Sequence, residues 1–136
     1  MLVVEGGIVV NGDGTISFGD FLAEEKIKVR DFEVGGHMYS VKTHNAVTRL
    51  EQNDKMLVEC VPGASFWNFA IGDNDITCVL KGRGVASLTF ELAPETEYAF
   101  FVGGKKIGEM KSTISGKISF SADTNEKGVD IKIANV

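Results

Sequence analysis

Several sets of residues in this chain have types and spacings that bear on chemistry. Nucleophilic catalysis needs a nucleophile, a base and an orienting group brought together. His37 and His44 are the only imidazoles, and no Gly-x-Ser-x-Gly elbow occurs. With residues 37 to 43 extended, their odd separation sends the two rings to opposite faces of a strand, so both are read as structural. Cys60 and Cys78 stand 18 positions apart, and neither Cys-x-x-Cys nor His-x-x-x-His spacing is present. A zinc site is therefore not expected, and the cysteines read as reduced, buried small hydrophobes.

Asn11-Gly12-Asp13-Gly14-Thr15 clusters oxygen side chains that suit Ca²⁺, but the acidic array closing on a distant Glu is missing, and the segment reads as a turn. Lys81-Gly82-Arg83-Gly84 lacks the length and the terminal Lys-Ser/Thr of a phosphate loop and reads as a solvated strand connection. Glu91, Glu95, Glu97 and Glu109 supply carboxylates for glycoside hydrolysis, with hairpin pairing able to bring Glu97 opposite or near Glu109. The densest aromatic segment is Phe66-Trp67-Asn68-Phe69. Strict alternation puts Trp67 and Phe69 on the core face and leaves Phe66 beside Asn68 as a small stacking surface for a sugar ring or another subunit. Phe66, Trp67 and Asn68 are thus the candidate ligand-binding residues; no catalytic residue, metal ligand or cofactor is assigned.

The elements that must position these groups are strands. Leu88, Phe90 and Leu92 alternate with Thr89 and Glu91; Ile118, Phe120 and Ala122 with Ser119 and Ser121; Val129, Ile131 and Ile133 with Asp130 and Lys132. Each set gives one apolar and one polar face. Noisier strands are read over 3–10, 26–30, 37–43, 46–50, 56–61, 65–71 and 76–80. Tyr98 to Val102, Gly103-Gly104 and Lys105 to Met110 read as a hairpin, with two glycines where a two-residue turn needs positive φ. Between Ile27 and Val34 the apolar phase moves from odd to even positions, which calls for a bulge or a corner. Asp20 to Lys26 and Pro94 to Glu97 are the only hosts for a helical turn. Turn signals recur about every 8 to 14 residues, the rhythm of a sandwich or barrel.

Composition sets the class. The chain has 136 residues, 43% of them hydrophobic, 16 Gly and 2 Pro, with a formal net charge of −5. This predicts one folded domain spanning 1–136, without disorder, repeats or a linker. The acidic balance argues against nucleic acid and anionic membrane as partners. The start has no basic region ahead of an apolar run, and no stretch reaches the ~18 apolar residues of a span, so the expected compartment is cytoplasmic.

An ordered set of motifs adds a resemblance. It runs Gly14-Thr15-Ile16-Ser17-Phe18-Gly19 with Lys26, Asp31-Phe32-Glu33-Val34 with Tyr39-Ser40-Val41-Lys42-Thr43, and Thr48-Arg49-Leu50-Glu51. It continues in Val61-Pro62-Gly63 with Asn68-Phe69, Glu97-Tyr98, Gly108-Glu109-Met110-Lys111 and Ser115-Gly116-Lys117. Across nearly its whole length the chain resembles a group of short proteins from Gram-positive gut anaerobes that often carry the label "endosialidase". Sialidases clamp a substrate carboxylate with arginines and use a Tyr-based nucleophile on much longer propellers. Here only Arg30, Arg49 and Arg83 are available, so the resemblance implies membership and a structural module, and no catalytic residue is carried over.

The resulting expectation is an all-β protein, an antiparallel β-sandwich of jelly-roll type with about ten strands. Its expected function is a non-catalytic binding or assembly module that self-associates or binds protein. The alternatives are a carbohydrate-binding module using Phe66, Trp67 and Asn68, and a small glycosidase using Glu97 and Glu109.

Overall fold

The computed structural model describes residues 1–136. It is all-β, with thirteen strands where about ten are expected. The first six are β1 (Ile8–Val10), β2 (Ile16–Phe18), β3 (Ile27–Val34), β4 (His37–Thr43), β5 (Thr48–Gln52) and β6 (Lys55–Val61). Then come β7 (Ser65–Ile71), β8 (Asp75–Lys81), β9 (Gly84–Glu91) and β10 (Glu97–Val102). The chain ends with β11 (Lys105–Lys111), β12 (Lys117–Thr124) and β13 (Val129–Asn135). Sheet A has seven strands in the order β1-β2-β7-β8-β13-β10-β11, and sheet B has six in the order β12-β9-β6-β5-β4-β3.

All ladders are antiparallel, and the chain crosses between sheets repeatedly. Strand β13 comes to lie between β8 and β10, and β9 between β6 and β12, crossovers of the jelly-roll kind. The two inner faces bury a cluster of 24 residues, including Phe18, Phe66, Leu80 and Ile133 from sheet A with Leu50, Val58, Phe90 and Ile118 from sheet B. The alternation read in the second half holds: Leu88, Phe90, Ile118, Ala122, Ile131 and Ile133 all point inward and are buried. No helix is long and apolar enough to cross a membrane.

Local chemistry accounts for the turns. Gly103 and Gly104 have φ of 61° and 79°, and Val102 pairs with Lys105, the two-residue hairpin that the glycines predict. The phase change in β3 is a bulge. Val29 pairs with Val41 and Phe32 with Tyr39, so Arg30 and Asp31 together oppose Ser40, and Asp31 takes a φ of 56°.

The structure departs from the sequence reading at three places. The run from Val3 is strand only from Ile8, because Gly7 donates to the Val4 carbonyl and closes a turn before it. Ile16–Phe18, too short to show alternation, is a buried strand. Neither candidate helical segment is helical; Asp20 instead accepts from the amides of Leu22 and Ala23 through its carboxylate, an Asx turn.

Candidate binding surfaces

The aromatic segment in β7 does not present the expected face. Trp67 pairs with Val79 and Ala70 with Thr77, so Asn68 and Phe69 together oppose Cys78, and Asn68 takes a φ of 53°. This bulge resets the alternation. Phe66 and Phe69 both turn inward and are buried, Trp67 lies half-buried on the outer face, and Asn68 is exposed. Phe66 stacks on Phe18 at 4.6 Å inside the core and offers nothing to a ligand. Trp67 donates from Nε1 to Ser65 Oγ at 2.8 Å, and the Ser65 hydroxyl donates to the Leu2 carbonyl at 2.7 Å. The Lys81 ammonium sits 4.7 Å from the centre of the Trp67 ring, so part of its exposed surface is covered by the protein's own cation.

Asn68 is the one member of the trio that borders a concavity. The outer face of sheet A carries a depression of about 540 Å³ bounded by Asn68, Thr77, Val79, Phe101, Asp130 and Lys132. Register explains it. Thr77 and Val79 form the floor on β8, the Asn68 bulge raises one side, and the Gly103-Gly104 turn lifts the other. Phe101 is half-exposed there, with the Lys132 ammonium 5.7 Å from its ring centre. Sequence reasoning missed Phe101, because it sits in the apolar run Tyr98 to Val102 and only the pairing with β13 shows it facing outward.

The sheet edges differ sharply. Strand β1 has three residues. Strand β11 is bulged, since Phe100 pairs with Gly108 and Phe101 with Lys106, and it carries Lys105, Lys106 and Lys111. Strand β3 is bulged at Arg30 and Asp31. These are the usual ways of blunting an edge. Strand β12 is neither short nor bulged and carries a lysine only at its first residue, Lys117, pairing with β9 in unbroken register over eight residues from Lys117↔Glu91 to Thr124↔Gly84. At Lys117 the main chain faces away from β9, accepting from Thr113 N at 3.0 Å and donating to Thr113 Oγ1. Alternation then turns the N–H and C=O groups of Ser119, Ser121 and Asp123 outward as well, with no partner.

No protein-family model matches the chain, and no curated protein or solved structure is significantly similar to it. The surfaces themselves therefore carry the functional argument.

The remaining candidates do not gather into one site. Glu109 pairs with Ala99 and Glu97 with Lys111, so the two exposed carboxylates are diagonal neighbours on one face of the hairpin, near each other as the pairing predicts, and Glu109 is held in an ion pair with Lys106 at 3.0 Å. His37 and His44 lie at opposite ends of β4, His37 beside the Asn53 side chain at 3.0 Å. Cys60 and Cys78 are free and buried, one on each sheet; burial pushes the Cys60 thiol up to about 12 and Cys78 further up. Asp13 accepts from the hydroxyl and then the amide of Thr15, which hold its carboxyl below the usual range, and Asn11 donates its amide to Thr15, Ser17 and Asn68. That loop is a closed turn. Arg83 is paired with Glu126 at 2.7 Å in the β8–β9 crossing.

Proposed function

We propose that the protein is a non-catalytic assembly module that pairs with a second copy of itself along β12. The observation that carries this reading is the contrast among the four edges: three are short or bulged, and β12 alone presents a long regular row of unsatisfied main-chain groups. The occupant follows from self-complementarity. Laid antiparallel with Ser121 opposite its own copy, Ser119 meets Asp123 of the second copy, and every free outward group finds a partner in about six inter-strand hydrogen bonds. The Ser119 hydroxyl then stands beside a carboxylate. On the inner side half-buried Phe120 faces the small Ala122, so neither strand is pushed away. Thr113 already occupies the edge at Lys117, which disfavours longer overlaps.

Light scattering across micromolar concentrations tests it. The wild type is expected to approach twice the monomer mass, and Ser121→Pro to remain at the monomer mass. The Ser121 N–H faces away from β9, so proline there removes a pairing group without breaking an internal ladder bond. A monomeric wild type overturns the reading.

A second reading is favoured by the depression on sheet A. Phe101 offers an aromatic face, and Asn68, Thr77 and Asp130 surround it with hydrogen-bonding groups, a combination suited to a sugar ring. Glycan-array binding lost in Phe101→Ala supports this reading; silence of the wild type removes it.

A further inference from the structure

The outer face of sheet B carries its charge unevenly. One row crosses the strands at right angles: Lys28 stands directly opposite Lys42, Lys42 opposite Arg49, and Arg49 opposite Glu59. Arg49 is neutralised, reaching Glu51 at 3.4 Å and Glu59 at 3.5 Å. The four ion pairs of the protein leave Lys28, Lys42 and the neighbouring Arg30 without a carboxylate partner. Like charges directly opposite on adjacent strands destabilise a sheet. Asp31 and Asp54 lie near them, so the unpaired charges here are three cations against two carboxylates.

Lys28, Arg30, Lys42 and Arg49 border a concavity of about 420 Å³. The β3 bulge helps to form it, placing Arg30 and Asp31 together opposite Ser40 and holding Asp31 at a positive φ. The Ser40 hydroxyl, half-buried on the same wall, makes no hydrogen bond within the protein and is a free donor.

We infer that this groove binds a tetrahedral oxyanion, phosphate or sulfate, between Lys28, Lys42 and Arg30, with Ser40 donating to it. The donor set selects the shape of the ligand. Two ammonium groups on adjacent strands and a guanidinium from the bulge are three separate charged donors, a number that suits the several oxygens of a tetrahedral ion. A planar carboxylate would be matched by the Arg30 fork alone, since Arg49 is already engaged by Glu51 and Glu59, and would leave the two lysines without a matching oxygen. Asp31 and Asp54 on the walls remain unpaired and disfavour a long polyanion, so the groove is suited to one oxyanion group. That group is either a free ion or an ester on a sugar.

The test uses the sign of the lysine repulsion. In low-salt chloride, Lys42→Gln removes a like-charge contact and is expected to raise Tm by about 1–3 °C. With millimolar sulfate or phosphate at constant ionic strength, the wild type is expected to gain several degrees and Lys42→Gln to lose that gain. Lys28→Gln, an exposed position, is expected to behave in the same way. A gain of equal size in the wild type and both variants is a general salt effect and overturns the proposal, as does a Lys42→Gln protein less stable than the wild type in chloride. Inorganic sulfate and a sulfated disaccharide form the two ligand arms: a tighter response to the disaccharide assigns the ester, and an equal response assigns the free ion.

Discussion

Phe66 and Phe69, three positions apart on one extended strand, both point into the same core, with ring centres 6.3 Å apart at an interplanar angle of 76°. A regular strand sends such residues to opposite faces. The Asn68 bulge makes the exception, turning the backbone once so that Phe18 packs against both rings. Phe66→Ala is therefore expected to cost about 3–5 kcal/mol, the loss of a fully buried aromatic side chain. Trp67→Ala, next to it in sequence, is expected to cost about 1 kcal/mol, since it loses the Ser65 hydrogen bond and half-exposed packing. Urea unfolding midpoints compare the two.

Gly116 is held at a φ of 87°, and a Cβ there would collide with the carbonyl oxygen of Leu92. The glycine also accepts from Leu92 N at 2.7 Å, so the two backbones cannot separate without losing that bond. Gly116→Ala is expected to destabilise by about 2–4 kcal/mol through strain and collision together. Thermal unfolding measures the loss, and a change below 1 °C would contradict it.

The β5–β6 turn invites the opposite change. Asn53 and Asp54 have φ of 51° and 67°, the conformation in which Asn-Gly is the preferred pair. Asp54→Gly is expected to stabilise by about 0.5 kcal/mol, read as a rise in the urea midpoint without a change in slope.

The two buried thiols make stability depend on alkaline pH. Unfolded thiols ionise near 9.0, whereas burial raises Cys60 to about 12 and Cys78 further. Between pH 9 and 12 the unfolded chain therefore loses protons that the folded protein keeps, and folding stability falls as pH rises, by about 1.4 kcal/mol per unit per thiol. Below pH 9 the thiols contribute no slope. Replacing both by alanine is expected to flatten the fall, measured as the pH dependence of the urea midpoint. A thiol reagent at pH 7.5 is expected to label neither cysteine until the protein unfolds.

Strand identity was legible wherever an alternating run exceeded about five residues, because burial on one face writes itself into period 2. Leu88 to Leu92 and Ile118 to Ala122 follow that rule, and even the β3 bulge showed as a phase change. The rule misled at Phe66 because the β7 bulge falls inside an unbroken aromatic run, where both phases are apolar and no slip is visible. It was silent on Ile16–Phe18, all three of which are buried and which together are too short to show a period. The surfaces were the least legible part. Lys28, Lys42 and Arg49 are dispersed in sequence, and only strand register sets them in one row. The openness of β12 depends on the shape of three other edges, which no local pattern reports.

The position of the lysine groove relative to β12 has a geometric consequence. In sheet B, β12 is one edge and β4 lies four strands away from it. A two-fold pairing through β12 joins two six-stranded sheets into one of twelve, and it uses the same edge on both copies, so growth closes at two and cannot continue as a fibre. The two grooves then lie on one face of a continuous sheet, nine strand spacings apart, and a twist of about 20° per strand turns them toward opposite directions. One dimer would therefore present its grooves to two separate anionic partners and so link them.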